Sequence, residues 1–200
     1  LDFPFNGPVH AVSKDEREIQ GVPCYGSLRD VPDPVDHVIS CIPHHQVLTL
    51  VEDCAAKGVR SLHLFTARMA ETQLRERHDL EGLVVGRARA AGMRVIGPNC
   101  MGMYCPEGGL AWTNEFPEMP GPVGLVSQSG QLAGHFISIA EGKGVRFSKV
   151  VSYGNAGDLQ NHEFLEYLAQ DEKTKYIATY VEGLKDGRAF FDLGKKISRV

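Results

Sequence analysis

The chain has 200 residues, 42% hydrophobic and 23% charged, which is enough apolar material for a core and too little charge for a disordered polymer. Its 21 Lys and Arg against 25 Asp and Glu give a formal net charge of −4, with neither sign gathered in a long block, so the electrostatic case for nucleic acid falls away. Apolar runs such as Val38 to Pro43 are far shorter than the roughly 20 residues a membrane helix needs, so no membrane partner is expected either.

The sequence opens on Leu1-Asp2-Phe3-Pro4, with no initiator Met and no basic segment leading into an apolar one. It stops inside the amphipathic run Lys196-Ile197-Ser198-Arg199-Val200, and we therefore expect part of a longer protein with no secretion signal. The five cysteines are an odd number, and Cys41 and Cys54 fall in apolar patterns. A reducing, cytoplasmic setting follows more naturally than a disulfide scaffold.

Short β-branched runs alternate with runs of helical period, the pattern of parallel sheets covered by helices. Val9 to Val12 is the first expected strand and His37 to Ile42 the second. Val47, Leu50, Val51, Cys54 and Ala55 then form the one-sided stripe of a helix ending at Gly58. A strand over Ser61 to Thr66 follows. Leu80, Leu83, Val84, Ala88 and Ala91 repeat the stripe up to Gly92, and Arg94 to Ile96 is a strand broken by Gly97 and Pro98. Between Cys105 and Pro122, prolines and glycines crowd a stretch without period, which reads as an interdomain connection. The alternation resumes with a strand over Val123 to Val126 and a helix carrying Leu132, Ala133, Phe136, Ile139 and Ala140. A strand over Lys149 to Tyr153, a helix over Phe164 to Ala169, a strand over Tyr176 to Val181 and a helix from about Arg188 complete the chain. The expectation is two successive doubly wound α/β units with the seam near Pro120.

Ligands in open α/β sheets sit at the carboxyl ends of strands, which directs attention to Pro43-His44-His45, Gly97-Pro98-Asn99-Cys100, Ser127-Gln128-Ser129-Gly130 and Glu182-Gly183. The serine-rich turn between strand and helix offers main-chain N–H groups at a positive helix end, where an anion such as phosphate binds. A plain serine cap would give the same sequence. It is neither a Walker loop nor a nucleophile elbow. Cys100 would need a base to act as a nucleophile, and the sequence places none of the eight histidines beside it. His44 and His45 are adjacent, no Cys or His stands at metal-finger spacing, and no metal is expected. Glu182 follows its strand directly, where a carboxylate can orient an imidazole or simply face solvent.

Taken together, these segments resemble the CoA-binding and adjoining domains of the NDP-forming acyl-CoA synthetases, relatives of the succinyl-CoA synthetase α subunit. The resemblance is carried by Gly97-Pro98-Asn99-Cys100-x-Gly102 and by Pro120-Gly121-x-Val123-Gly124-x-Val126-Ser127-Gln128-Ser129-Gly130. Ser152-x-Gly154-Asn155, Phe164-Leu165-Glu166-Tyr167-Leu168 with Asp171, and Tyr180-Val181-Glu182-Gly183 extend it, as do Ile19-Gln20-Gly21, Val35-Asp36 and Cys41-Ile42-Pro43 upstream. It implies a Rossmann-like CoA-binding domain over residues 1–120, lacking its first strand, then a flavodoxin-like parallel α/β domain over residues 121–200, incomplete at its end.

By the same resemblance Lys14, Pro43, Thr66, Asn99 and Cys100 line a CoA site. Ser127, Ser129 and Gly130 hold a phosphoryl group, and Glu182 orients a phosphorylated His that lies outside this sequence. ADP/ATP or GDP/GTP is bound by an ATP-grasp domain or subunit beyond the chain, the other substrate is a small carboxylic acid, and an oligomer is expected. The implied enzyme is an acid-thiol ligase that interconverts acyl-CoA, NDP and phosphate with acid, CoA and NTP, with this chain alone inactive. Two departures stand out: Val12-Ser13-Lys14-Asp15 where the family usually has Val-Asn-Pro-Lys, and Ala67-Arg68-Met69 where it has Ala-Gly-Phe. One alternative is a regulatory CoA- or nucleotide-sensing module of a multidomain acyltransferase. Another is a dinucleotide-dependent oxidoreductase, against which the absence of Gly-x-Gly-x-x-Gly argues.

Overall fold

The computed structural model describes residues 5–32 and 34–198. Leu1 to Pro4 and Arg199 to Val200, on which the expectation of a longer protein partly rests, lie outside the described residues.

The amino-terminal segment forms a small three-stranded sheet in the order β1-β3-β2, where β1 is Ala11–Val12, β2 is Glu18–Ile19 and β3 is Val22–Tyr25. β1 runs parallel to β3, and β2 and β3 form an antiparallel hairpin. Gln20 and Gly21 in its turn have φ values of 50 and 79, and positive φ at both central residues is what a type I′ turn requires. The sequence reading missed this hairpin because strands of two and four residues carry almost no period. The sequence pattern starts the first strand at Val9, two residues before β1 begins.

The next three strands lie in sequence order and run parallel: β4 His37–Ser40, β5 Ser61–Leu64 and β6 Arg94–Ile96. Their crossovers are α1, Val47–Lys57, and α2, Arg75–Ala90. The expected stripe on α1 holds, with Val47, Val51 and Cys54 buried against Leu62 and Leu64 of β5. Gly58 ends the helix at φ 75, its N–H donating to the last-turn carbonyls, a left-handed cap that glycine adopts without a Cβ penalty. On α2 the buried stripe is Glu81, Val84, Val85 and Ala88, whereas Leu83 is exposed. The rotation leaves a carboxylate inward, and Glu81 finds donors there.

The last sheet is four-stranded, in the order β10-β8-β9-β7. Its strands are β7 Gly102–Tyr104, β8 Val123–Ser127, β9 Phe147–Ser152 and β10 Tyr176–Tyr180. β8 is parallel to β9 and to β10, while β7 is antiparallel to β9. Helices α3 Gly130–Glu141, α4 Asn161–Gln170 and α5 Gly187–Ile197 follow β8, β9 and β10 in turn. One core packs α3 with Tyr104, Phe116, Leu125 and Val150; the other packs α4 with Val126, Val151 and Tyr153, and it takes in Ile96 and Cys100 from the preceding unit.

The α/β class and the helix-covered sheets match the expectation, with one correction. The four-stranded sheet is mixed rather than parallel, because β7 joins its edge. The chain passes from one sheet to the next at Gly97 to Met101, ahead of the Cys105–Pro122 stretch. That stretch folds back on the second sheet: Phe116 is buried against Tyr104 and Trp112, and the Tyr104 hydroxyl donates to Pro117 O at 2.6 Å. A strand of three residues next to proline-rich sequence gives no local signal of its partner.

The loop after β9 fastens the two units. Asn155, Gly157 and Leu159 donate main-chain N–H bonds to Pro98, Gly97 and Val95 at 3.0, 2.9 and 3.3 Å. Asp158, 0% exposed, accepts from Arg89 Nε at 2.6 Å, Arg94 Nε at 3.0 Å and Val95 N at 2.7 Å. Burial alone pushes its pKa up, but the bonds from Arg94, Val95 N–H and Arg89 outweigh that and hold it below the usual carboxylate value.

Candidate functional site

Beyond the carboxyl ends of β4, β5 and β6 three loops are stitched together. The Thr66 hydroxyl donates to Ile42 O at 2.7 Å, and Thr66 O accepts from Asn99 N at 2.9 Å. These two bonds satisfy polar groups of a buried threonine and align the Pro43, Thr66 and Asn99 segments side by side. A cleft of about 620 Å³ opens beside them, lined by Pro43, His44, His45, Phe65, Thr66 and Arg68 among others. Pro43 is extended, at φ −61 and ψ 147, and leads into the 3-10 turn His44–Gln46. Arg68 sits at φ 65, where the resembled family has glycine, and its N–H donates to Glu71 Oε1. The His44 pKa is pulled below its ordinary value by lost hydration and then by the charges of Arg77, His45 and Arg68, so cationic groups gather on this side of the cleft.

Three of the expected CoA-site residues, Asn99, Cys100 and Lys14, are not among those lining the cleft, Asn99 standing exposed on the adjoining loop. Cys100 is 4% exposed, its thiol donating to Leu64 O at 3.5 Å, and burial pushes its pKa up to about 12. Its side chain packs the turn from behind and is no nucleophile. Lys14 is exposed in the turn after β1 and is not among the residues lining the cleft.

The second candidate turn lies where β8 meets α3. Ser127 is fully buried and its hydroxyl donates to Ser129 O at 2.6 Å, while Ser127 O accepts from Tyr153 N at 3.0 Å. Ser129 is the helix cap, its Oγ accepting from Leu132 N at 3.2 Å. The Ser127 O–H is therefore used inside the turn, whereas Ser129 Oγ accepts there and keeps its own O–H to donate. Gly130 follows, and a Cβ there would lie 2.4 Å from Met101 Cγ, so only glycine lets β7's approach pass this close. As in any α-helix, the N–H groups of the first turn have no intrahelical acceptor, and they point along the positive end of the α3 dipole.

Sequence reasoning passed over Gln128. Its Oε1 accepts from both Glu182 N at 2.7 Å and Gly183 N at 3.0 Å, tying the serine turn to the loop after β10. Glu182 is thereby held by its main chain at the rim of the turn, its side chain exposed. Its charge adds to burial in raising the Tyr153 pKa, which places the carboxylate toward the same strand-end surface. Asn155, which the sequence marks only as the end of Ser152-x-Gly154-Asn155, bonds to Asn99, Glu71 and Glu81 at once. No local signal marks it, because its glutamate partners lie 84 and 74 residues away. Among the described residues no group of three or more His, Cys, Asp or Glu is disposed to hold a metal ion, and no helix is long and apolar enough to cross a membrane.

Comparison with known proteins divides the chain in two. A family model described as a CoA binding domain matches residues 3–106, and one described as a succinyl-CoA ligase like flavodoxin domain matches residues 120–200. The chain is 36% identical over 197 residues to the ADP-forming acetate–CoA ligase of Methanocaldococcus jannaschii, covering 98% of this chain and 27% of that protein. It is 36% identical over 193 residues to the α subunit of ADP-forming acetate–CoA ligase II of Pyrococcus furiosus, covering 96% of this chain and 42% of that one. It superposes with a TM-score of 0.89 and 32% identity on a dinucleotide-forming acetyl-coenzyme A synthetase 1 of Ca. Korarchaeum cryptofilum, solved with phosphate and ADP, over 98% of this chain and 42% of that chain. The chain thus spans well under half the length of these relatives.

Proposed function

The chain belongs to the CoA-binding domain family and continues into a succinyl-CoA-ligase-like flavodoxin domain, and from that premise we propose that it is the CoA-binding and phosphoryl-presenting part of an NDP-forming acyl-CoA synthetase. The observation that carries the reading is the seam of Pro43, Thr66 and Asn99 beside a cleft with a cationic flank. CoA suits it: the cofactor is long, amide-bearing and phosphorylated, and the cleft offers polar loop edges together with His44, His45 and Arg68. When bound, CoA supplies the thiol that takes up the acyl group.

In this reading residues 1–120 form the CoA-binding domain, lending β7 to the sheet of residues 121–200. β1 and β4 each stand at a sheet edge, and Ile39 on β4 is 52% exposed. A strand supplied by the same protein from outside residues 1–200, lying between them, would join the two small sheets into one and cover that edge. Lys14, at the end of β1, would then come into line with the strand-end row and reach a CoA phosphate.

The serine turn serves the phosphoryl group. Ser127 and Ser129 shape it, and the main-chain N–H groups from Gly130 onward meet the anion. Glu182 accepts an N–H from the imidazole that carries phosphate, fixing the tautomer whose other nitrogen is free. That histidine, the nucleotide and the ATP-grasp module lie beyond this chain, and a small carboxylic acid is the acyl source. The test is thioester formation by the intact protein from acetate, CoA and ATP, with CoA affinity measured by calorimetry. The reading expects both; absence of CoA binding and of thioester overturns it.

A further inference from the structure

Asn99 combines a left-handed main chain, φ 57, with an exposed side chain on the seam of the strand-end loops. Its amide is fixed from the other unit, for Asn99 Nδ2 donates to Asn155 Oδ1 at 3.2 Å. Asn155 cannot rotate to reverse that bond. Its own Nδ2 donates to Glu71 Oε2 at 2.6 Å and to Glu81 Oε2 at 2.9 Å, and its N–H donates to Pro98 O at 3.0 Å. The two carboxylates are held in turn: Glu71 also accepts from the N–H groups of Arg68 and Met69, and buried Glu81 from that of Ala70.

Ionised carboxylates only accept hydrogen bonds, so the nitrogen of Asn155 must face them and its oxygen must face Asn99. Asn99 must then offer its nitrogen to Asn155. Its oxygen, Oδ1, is left without a donor among the described residues, on an exposed side chain of the loop next to the cleft, although Asn99 is not one of the residues lining the cleft itself. The polarity of one exposed amide is thereby set by two glutamates a residue further on, through a network whose members each have defined partners.

We propose that Asn155 is a positioning residue that locks Asn99 with its carbonyl oxygen toward the cleft, so that Asn99 accepts a hydrogen bond from an amide N–H of the ligand. The proposal rests on the reading of the cleft as a CoA site and goes further, naming the ligand group as an N–H donor. CoA carries amide N–H donors only in the two amides of its pantetheine arm; its adenine amino group and its hydroxyls are the other donors, and an amide-to-ester exchange leaves those in place.

The test pairs ligands with variants of the intact protein in calorimetric titrations. The probes are CoA and two analogues in which an ester oxygen replaces one or the other pantetheine amide N–H. For the unaltered protein one analogue should bind about tenfold more weakly than CoA, a loss of ~1.4 kcal/mol, the scale of one hydrogen bond. Asn99→Gly, which tolerates the positive φ, should bind CoA and that analogue alike. Asn155→Ala should shrink the discrimination to about twofold, because the Asn99 amide can then turn over. A purely structural role for Asn155 would lower affinity for all three probes equally and leave the tenfold ratio in place. That result overturns the proposal, as does equal binding of CoA and both esters by the unaltered protein. Failure of the unaltered protein to bind CoA at all would overturn the CoA reading itself, and this proposal with it.

Discussion

At the ends of β4, β5 and β6 the loops bind one another through main-chain groups and one threonine hydroxyl, which leaves His44 and Arg68 lining the cleft and the side chain of Asn99 exposed on the neighbouring loop. At the end of β8 the allocation differs, for the Ser127 O–H is used inside the turn, while Ser129 Oγ accepts from Leu132 N and keeps its own O–H to donate alongside the main-chain N–H groups of the first turn. Two serines in a phosphate-like motif are therefore not equivalent as donors to an anion. What binds is decided by which polar groups the fold has already satisfied, and the two regions differ in that rather than in composition.

The comparison breaks if the two regions are pried apart. Gly154 has φ 55, and a Cβ on it would stand 2.2 Å from Asn99 O and 2.3 Å from Pro98 O, both main-chain atoms. Gly154→Ala should cost more than ~3 kcal/mol in urea unfolding, through the clash and the left-handed backbone together, and should weaken ligand binding at both turns. A loss near that of an exposed helical glycine would mean the loop yields and the units are not clamped here.

Acid should distinguish the two units. His63 is 2% exposed, between His37 and Phe65, and burial lowers its pKa from 6.5 to about 4, with His37 adding to the shift. The unfolded chain takes up the proton below pH 6.5 and the folded chain only near pH 4. Stability is thus intact above pH 6.5 and falls through that window, by up to ~3 kcal/mol. His63→Leu should flatten this part of the pH profile; an unchanged slope would assign the acid sensitivity elsewhere. Asp158 acts in a lower window, since its depressed pKa contributes stability that is present above the usual carboxylate value and lost as pH falls further. Asp158→Asn should destabilise by about 2 kcal/mol at neutral pH, because Arg89 and Arg94 lose a charged acceptor although each keeps access to water.

The finest distinction is at Ser129. Ser129→Ala should cost ~1 kcal/mol of stability, the worth of a helix cap, while phosphate affinity of the intact protein falls by no more than about twofold. A tenfold loss of affinity would show the hydroxyl to be a ligand after all.

Much of the frame was legible in the sequence where one element carries its own signal. The α1 stripe closing at Gly58, the strand at Ser61 and the serine turn before α3 all depend on neighbours within a few residues, and they lie where expected. What escaped was long-range. The β2–β3 hairpin and β7 are too short to show a period, Glu81 displaced Leu83 from the buried face because Ala70 and Asn155 supplied donors, and Asp158 paired with arginines 69 and 64 residues away. The site residues divide in the same way. Pro43, Thr66 and Asn99 come together because each ends a strand, whereas Cys100 turned inward, and Gln128 and Asn155 acquired their roles only from partners the fold brought to them.

The most direct test of this account is a crystal structure of the intact protein soaked with CoA and inorganic phosphate. It predicts CoA lying along Pro43, Thr66 and Asn99, and phosphate within hydrogen-bond distance of main-chain N–H groups at the start of α3, with the Ser127 and Ser129 hydroxyls still bonded inside the turn. CoA bound away from the ends of β4 to β6, or phosphate held by the serine hydroxyls with their internal bonds broken, would contradict it.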